Sequence, residues 1–219
     1  MEMLKQVVGS DSYINDKNVL DTFAQDNSFE KGFVPQCVLH PKTTDDVDDI
    51  VKIAHEKGIG LVPCSSKGPR HRGDTVPTVE GVAIVDLSNL KSIRRMDRRN
   101  KVAIIEPGVT FGALQIAAEK GGLRVLTPFL PRKTKSVLTS YLEREPITTP
   151  KYHWDMTDPL MSSEIIFGTG DMFRTGGAAG PGTLEQQWAA GAAQKNPMGP
   201  GQTDFLRVVQ GAQGTMGIV

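Results

Sequence analysis

Residues 61–77 read LVPCSSKGPRHRGDTVP. Leu61, Val62 and Pro63 close a short apolar run. The loop behind them holds Lys67, Arg70, His71 and Arg72, four side chains that can carry positive charge, with Ser65, Ser66, Gly68 and Gly73 among or beside them. Successive main-chain N–H groups exposed in such a turn form an anion-binding nest, and glycine permits the positive φ values that aim them inward. Arginine adds a fork that matches phosphate or carboxylate oxygens, and lysine adds a point charge. The stretch fits two readings: a diphosphate or carboxylate site, or a solvated basic surface loop.

The sequence on either side places this loop after a buried strand. Upstream, residues 33–39 read as a strand ending at His40-Pro41. Thr43 or Thr44 can cap the helix that follows, and Asp45 and Asp46 lie in its first turn, where the helix dipole favours negative charge. Val47, Ile50, Val51 and Ala54 recur at helical spacing, which gives one buried face, and Gly58 suits a left-handed end. Residues 59–63 form the next strand, so strand, helix and strand occupy the length of a βαβ crossover.

Downstream, residues 81–87 read as a buried strand. Residues 92–96 and 101–106 are two further strands about the charged turn Arg98-Arg99-Asn100. Thr110 can cap a helix carrying Phe111, Leu114, Ala117 and Ala118, ended by Gly121-Gly122, and residues 123–127 read as another strand closed by Pro128. Residues 131–162 show no sustained period. Residues 163–167 and 172–175 suggest a hairpin around Gly168-Thr169-Gly170-Asp171. A Gly, Ala, Pro and Gln-rich excursion occupies 176–203, and a short amphipathic turn lies at 204–209. The fold class expected is α+β, with an N-terminal extension at 1–32 and two lobes at 33–130 and 131–219, each a small sheet packed with helices.

Composition narrows the function. In 219 residues, 38% are hydrophobic and 23% charged, enough to build a core. Lys plus Arg and Asp plus Glu are each 25, so the basic excess of a phosphate-neutralising nucleic-acid binder is missing. Cys37 and Cys64 cannot make a disulfide framework or a four-thiolate zinc site and read as buried thiols in a reducing compartment. His40, His55, His71 and His153 lack metal-ligand spacing; no metal site is expected. Glu2 and Lys5 interrupt the N-terminus, which does not read as a secretory signal, and no window approaches the roughly 18 apolar residues of a membrane span. A cytoplasmic protein is expected.

Common nucleotide motifs are absent: Gly168-Thr169-Gly170 lacks the third glycine of G-x-G-x-x-G, and no G-x-x-x-x-G-K-[ST] occurs. Two other segments matter instead, residues 105–114 (IEPGVTFGAL) and residues 210–219 (QGAQGTMGIV). In the second, closely placed glycines precede an apolar pair, a pattern that packs backbone against a flat ligand.

Taken in order, these stations resemble the FAD-binding domain of the vanillyl-alcohol oxidase and p-cresol methylhydroxylase superfamily, and above all its D-lactate dehydrogenase and glycolate oxidase branch. The likeness runs from about Pro35 to Val219. Pro41 to Val47 resembles the entry pattern P-x-[ST]-x-x-[ED]-V. Val62-Pro63 and the basic loop fall where the family has its phosphate loop. Val85-Asp86-Leu87-Ser88 and Glu106-Pro107-Gly108-Val109-Thr110 are close matches, and Gly211 to Val219 is similar to G-S-E-G-T-L-G-I-[IV].

The resemblance implies FAD held between two α+β lobes, in the two-lobed arrangement of p-cresol methylhydroxylase. The loop after Pro63, with Ser65, Ser66, Lys67, Gly68, Pro69, Arg70 and His71, would donate main-chain N–H groups to the pyrophosphate. Pro107, Gly108 and Pro128 would lie near it, and Ser136, Leu138, Thr139 and Ser140 would form the middle contact. Gln213, Gly214, Gly217 and Ile218 would line the adenosine or flavin side. The chain departs from the pattern in three places. Its loop is poorer in glycine and one residue longer, residues 136–140 hold no glycine, and Gln213 replaces an acidic residue.

The resemblance further implies hydride transfer from a substrate C–H to the flavin, with a D-2-hydroxy acid as the substrate class. A phenolic substrate of the vanillyl-alcohol type is the enzymatic alternative; a non-catalytic nucleotide-binding subunit is the other. A C-terminal substrate or cap domain is absent from this chain, so completion by further polypeptide is expected. No catalytic residue is assigned. His71 is a candidate for covalent flavin attachment, and Asp155 could orient His153 as a base beside Tyr152 and Trp154. Trp188 could anchor its loop or meet a partner. Glu143, Arg144 and Glu145 read as a solvated charge run. Arg94, Arg95, Arg98 and Arg99 read as turn charges that could also face an electron-transfer partner, and His55 lies off the apolar stripe.

Overall fold

The computed structural model describes residues 1–129, 131–145, 159–175, 183–189 and 206–219. In chain order these hold α1 (Glu2–Val8), β1 (Tyr13–Ile14), α2 (Lys17–Asp21), β2 (Cys37–Leu39), α3 (Thr44–Lys57), β3 (Leu61–Cys64), β4 (Ala83–Asp86), β5 (Ile93–Asp97), β6 (Val102–Ile105), α4 (Phe111–Lys120), α5 (Val137–Leu142), β7 (Glu164–Phe167), β8 (Met172–Arg174), α6 (Leu184–Ala189), α7 (Leu206–Val209) and β9 (Gly217–Ile218). The expected α+β class is found. The Tyr152–Asp155 constellation lies outside the described residues, as does most of the 176–203 excursion; nothing is described of the Trp188 side chain.

Of the two candidate caps, Thr43 is the one used. Its hydroxyl accepts from the Asp46 N–H at 3.1 Å, and the Asp46 carboxylate accepts from the Thr43 N–H at 3.2 Å, a capping box that satisfies amides at the end of α3. Gly58, at φ 63, ends the helix in the left-handed region. Val47, Ile50, Val51 and Ala54 are all buried, as the spacing predicts. They press onto a four-stranded sheet of order β1-β2-β4-β3, in which β2, β4 and β3 run parallel and β1 pairs antiparallel to β2. The β2–α3–β3 crossover thus straddles β4. All of Ala83–Asp86 is buried, because that strand has neighbours on both edges and cover on both faces.

Residues 1–32 help to supply that cover. Leu4 and Val8 of α1 share a core with Leu39, Val47, Ile50 and Val85, while Leu20 and Phe23 pack with Val38, Ile84 and Cys64. A separate cluster joins Val109, Phe111 and Leu114 to Val137 and Tyr141, so α5 packs on α4 across residue 130. The third sheet, β8-β7-β9, packs Ile165 against Leu206 and Val209, and its Ile166 and Ile218 reach the first core.

The structure departs from expectation at identifiable points. The strand expected at 33–39 covers only Cys37–Leu39, since Pro35 has no N–H to give a ladder. The apolar residues 123–127 form no strand. Val125 packs into the core of the β5–β6 layer, and the Leu126 carbonyl accepts from the Tyr141 hydroxyl at 2.6 Å in place of a strand partner. Residues 131–162, expected to be without regular structure, contain α5, which Ser136 caps through the Thr139 N–H.

Cys37 and Cys64 are free and buried. Burial raises both thiols, and for Cys64, where the Asp86 charge adds to it, the result is about 12. A thiolate is the reactive form. The folded chain at pH 8 is therefore expected to leave a disulfide-exchange dye almost unreacted, with both thiols of the sequence appearing on denaturation. A fast stoichiometric reaction in the native state would contradict this.

Candidate functional site

The loop after β3, the turn at Pro107, the start of α5 and the segment from Val209 to Val219 converge on one cavity of about 500 Å³, within the usual range for ligand pockets. Of the residues nominated from sequence, Pro63, Ser65, Ser66, Arg70, His71, Pro107, Pro128, Leu138, Thr139, Gln213, Gly214, Gly217 and Ile218 lie on its wall. Lys67, Gly68, Pro69, Gly108, Ser136 and Ser140 do not.

The loop presents its backbone. Among the described residues, the main-chain N–H groups of Ser65, Ser66, Lys67, Gly68, Arg70 and His71 donate to no protein acceptor; Lys67, Gly68 and His71 are exposed to solvent, whereas Ser65 is only 8% exposed. Unpaired buried donors are rare in native proteins, because each costs about 1–3 kcal/mol unless something accepts from it. The Arg70 guanidinium, by contrast, is turned back on the protein. One nitrogen donates to the Ser66 carbonyl at 3.3 Å, and the group sits 4.7 Å from the Phe23 ring centroid. Its Nε is buried without a partner among the described residues. His71 is exposed on the rim.

Several nominated residues act as braces. Ser136 is fully buried. Its hydroxyl donates to the Pro107 carbonyl at 2.6 Å and accepts from the Thr139 N–H at 3.1 Å, and its own N–H donates to the Ser66 hydroxyl at 3.0 Å. The Ser65 and Thr139 hydroxyls meet at 2.5 Å. Ser140 is buried and donates to Glu145. Gly108 is behind the wall: a Cβ there would meet the carbonyl oxygens of Leu87, Ser88 and Leu90 at 2.6–2.8 Å, so the glycine allows backbone to pass backbone. Gly214, at φ +81, lies against the Pro63 ring, with a Cβ contact of 2.7 Å. That contact ties the C-terminal glycine run to the start of the loop.

Several wall residues escaped the sequence reading as contacts: Arg132, Lys135, Glu143 and Glu145 join the loop cation Arg72 at the polar end, and Phe129, Leu142 and Met216 lie at the apolar end. The expected solvation of Glu143 and Glu145 is corrected. Their side chains are 11% and 16% exposed and ion-pair with Lys135 at 2.6 and 2.7 Å and with Arg72 at 2.8 and 2.7 Å. Burial raises the Glu143 carboxyl despite these partners. For Glu145, burial pushes the same way, but hydrogen bonds from Lys135 and Ser140 prevail and hold it below the usual carboxylate range. The partners lie eight to ten residues from Lys135 and over seventy from Arg72, separations with no sequence signature.

Residues 35–137 match the family described as the FAD binding domain. The chain carries an FAD-binding domain. Similar proteins include the 4-cresol dehydrogenase [hydroxylating] flavoprotein subunit of Pseudomonas putida, 28% identical over 150 residues that cover 68% of this chain and 28% of that protein. The glycolate oxidase subunit GlcD of Bacillus subtilis (strain 168) is 26% identical over 223 residues, covering 100% of this chain and 42% of that protein. The crystal structure of p-cresol methylhydroxylase with substrate bound superposes with a TM-score of 0.76 at 23% identity, over 99% of this chain and 40% of that one. The chain therefore spans less than half the length of each. The FAD-binding domain and the α+β fold class are the expectations carried by the motifs. FAD suits the cavity chemically. The loop amides without a protein acceptor suit an anionic diphosphate, and apolar Leu138, Val209 and Pro128 line the same space.

Proposed function

We propose that this chain is the FAD-holding part of a flavin-dependent oxidoreductase that oxidises a D-2-hydroxy acid. When bound, FAD supplies the ring that accepts a hydride from the substrate C–H. The protein's part here is to bind and orient. The main-chain N–H groups of Ser65, Ser66, Arg70 and His71 would take the diphosphate, the Ser66–Ser136–Pro107 hydrogen bonds fix the loop to the turn, and Leu138, Val209 and Ile218 exclude water. Of the nineteen residues nominated from sequence, thirteen lie on the wall, Ser136, Ser140 and Gly108 stand behind it, and Lys67, Gly68 and Pro69 lie off it, in lobes proposed at 33–130 and 131–219.

The observation that carries this reading is that the Ser65, Ser66, Arg70 and His71 amides lack a protein acceptor on a cavity wall, in a chain whose residues 35–137 match an FAD-binding family. The likeness to the glycolate oxidase subunit, aligned along the whole chain, favours the hydroxy-acid substrate. We further propose that a downstream cap domain or a second polypeptide supplies the remaining substrate pocket, and that the protein works in the cytoplasm; among the described residues no helix is long and apolar enough to cross a membrane. The likeness to the 4-cresol dehydrogenase flavoprotein subunit supports a second reading, a phenol as substrate.

Purified chain mixed with FAD is expected to retain it through gel filtration, with the absorption bands of oxidised flavin. Joined to its cap domain or partner under anaerobic conditions, the flavin is expected to bleach with D-lactate or glycolate. Bleaching by 4-cresol alone would select the second reading. Failure to take up FAD would overturn both.

A further inference from the structure

The polar end of the cavity holds a closed group of charges. Arg72 comes from the loop, Lys135 from just before α5, and Glu143 and Glu145 from just after it. Glu143 Oε2 accepts from both cations, at 2.8 Å from Arg72 and 2.6 Å from Lys135; Glu145 Oε1 does the same at 2.7 Å to each. Two positive and two negative charges cancel. Lys135 is only 8% exposed, so its charge would be costly to leave unpaired. All four side chains share their wall with Ser65, Ser66 and His71, whose amides are without acceptors. Next to a cradle for an anion, then, two cations of suitable chemistry are already occupied by the protein's own carboxylates.

We propose that Glu143 and Glu145 are internal competitors for the anionic ligand: a dinucleotide diphosphate binds at full strength only by taking Arg72 and Lys135 from them. The inference rests on the FAD-holding role proposed above and adds a regulated site to it. Opening the quartet exchanges ion pairs without making or breaking covalent bonds. Its geometry suits exchange, since Arg72 is 46% exposed at its side chain and can swing.

The groups facing the carboxylates are Arg72 and Asp74 from the loop, Lys135 from the α5 approach, and Ser140 from α5. Removing both cations withdraws what favours the charged carboxylates, so their proton affinity rises in the complex. Binding then takes up protons, and by linkage it tightens as pH falls toward the carboxylate range. The FAD diphosphate diester stays ionised throughout, so the slope belongs to the protein.

FAD titrations followed by flavin fluorescence test this in the intact chain. Glu143→Gln and Glu145→Gln are each expected to bind FAD about tenfold more tightly, with a steeper salt dependence, because freed cations add to the attraction. The double variant should lose the rise in affinity between pH 8 and 5.5 that is expected of the unaltered chain. Arg72→Leu, at a half-exposed position that folding tolerates, is expected to weaken FAD about tenfold and flatten the same slope. Unchanged or weaker binding in folded Glu variants would overturn the proposal and point to the carboxylates as acceptors for ribose hydroxyls. An unaltered slope in Arg72→Leu would overturn it equally. If the Glu variants do not fold, the Arg72→Leu slope decides. An unaltered chain that takes up no FAD defeats the FAD-holding role itself, whereas normal uptake with indifferent variants defeats only this inference.

Discussion

Gly108→Ala is expected to lower the stability of the fold by about 3 kcal/mol or more, read as a drop in the urea midpoint at constant slope. The new methyl carbon would lie 2.6 Å from the carbonyl oxygens of Ser88 and Leu90 and 2.8 Å from that of Leu87. A side chain could rotate away; three backbone oxygens of one turn cannot. The Gly108 N–H also donates to the Leu90 carbonyl at 2.6 Å, so moving the two segments apart breaks that bond as well. Domains of this size are stable by about 5–15 kcal/mol, which makes the loss a large fraction of the whole. Gly68→Ala is the control. Nothing lies within 4 Å of its Cβ position and its φ is not in the left-handed region, so a change within about 0.5 kcal/mol is expected. Equal effects at both glycines would refute the packing account of Gly108.

The contrast bears on what the sequence could reveal. Both glycines were nominated as cofactor contacts from their place in motifs, and a motif does not say which glycine meets a ligand and which meets another strand. Local signals fared better. The capped helix α3 was legible because Thr43, Asp46, the apolar stripe and Gly58 all act within fourteen residues or at their borders. The insertion of β4 between β2 and β3 was not, since nothing in either strand names its neighbour. Helix α5 is six residues long, too short to show a period, and is held by Phe111 and by Ser136 contacts drawn from distant segments. In the loop, the cluster of cationic side chains was readable, but where each one goes was not. Phe23, far upstream, holds the Arg70 guanidinium against its ring, and the Ser66 carbonyl accepts from it. Glu143 and Glu145 looked solvated for the same reason: their partners come from other parts of the chain.

Ser136→Ala should show that the braces matter as much as the wall. The hydroxyl lost is fully buried and makes two bonds, one to the Pro107 carbonyl and one from the Thr139 N–H. Losing the cap costs about 1 kcal/mol, and leaving a buried carbonyl unpaired adds about 1–3, so a fall of about 2–4 kcal/mol is expected by chemical denaturation. Ser65→Ala, which removes one 2.5 Å bond to Thr139, should cost less, about 1 kcal/mol. The larger consequence concerns position. The Ser136 hydroxyl holds the Pro107 carbonyl itself, beside the main-chain bond from the Val137 N–H to the Val109 carbonyl, and the Ser136 N–H holds the Ser66 hydroxyl. With the hydroxyl gone, the Pro107 carbonyl is released while Ser66 stays bonded to the start of α5, so the loop loses its link to that carbonyl. FAD affinity should then fall by more than the change in folded fraction explains, measured under conditions where circular dichroism shows the variant fully folded. An affinity unchanged under those conditions would mean that the cradle is held by the loop's own conformation and not by Ser136.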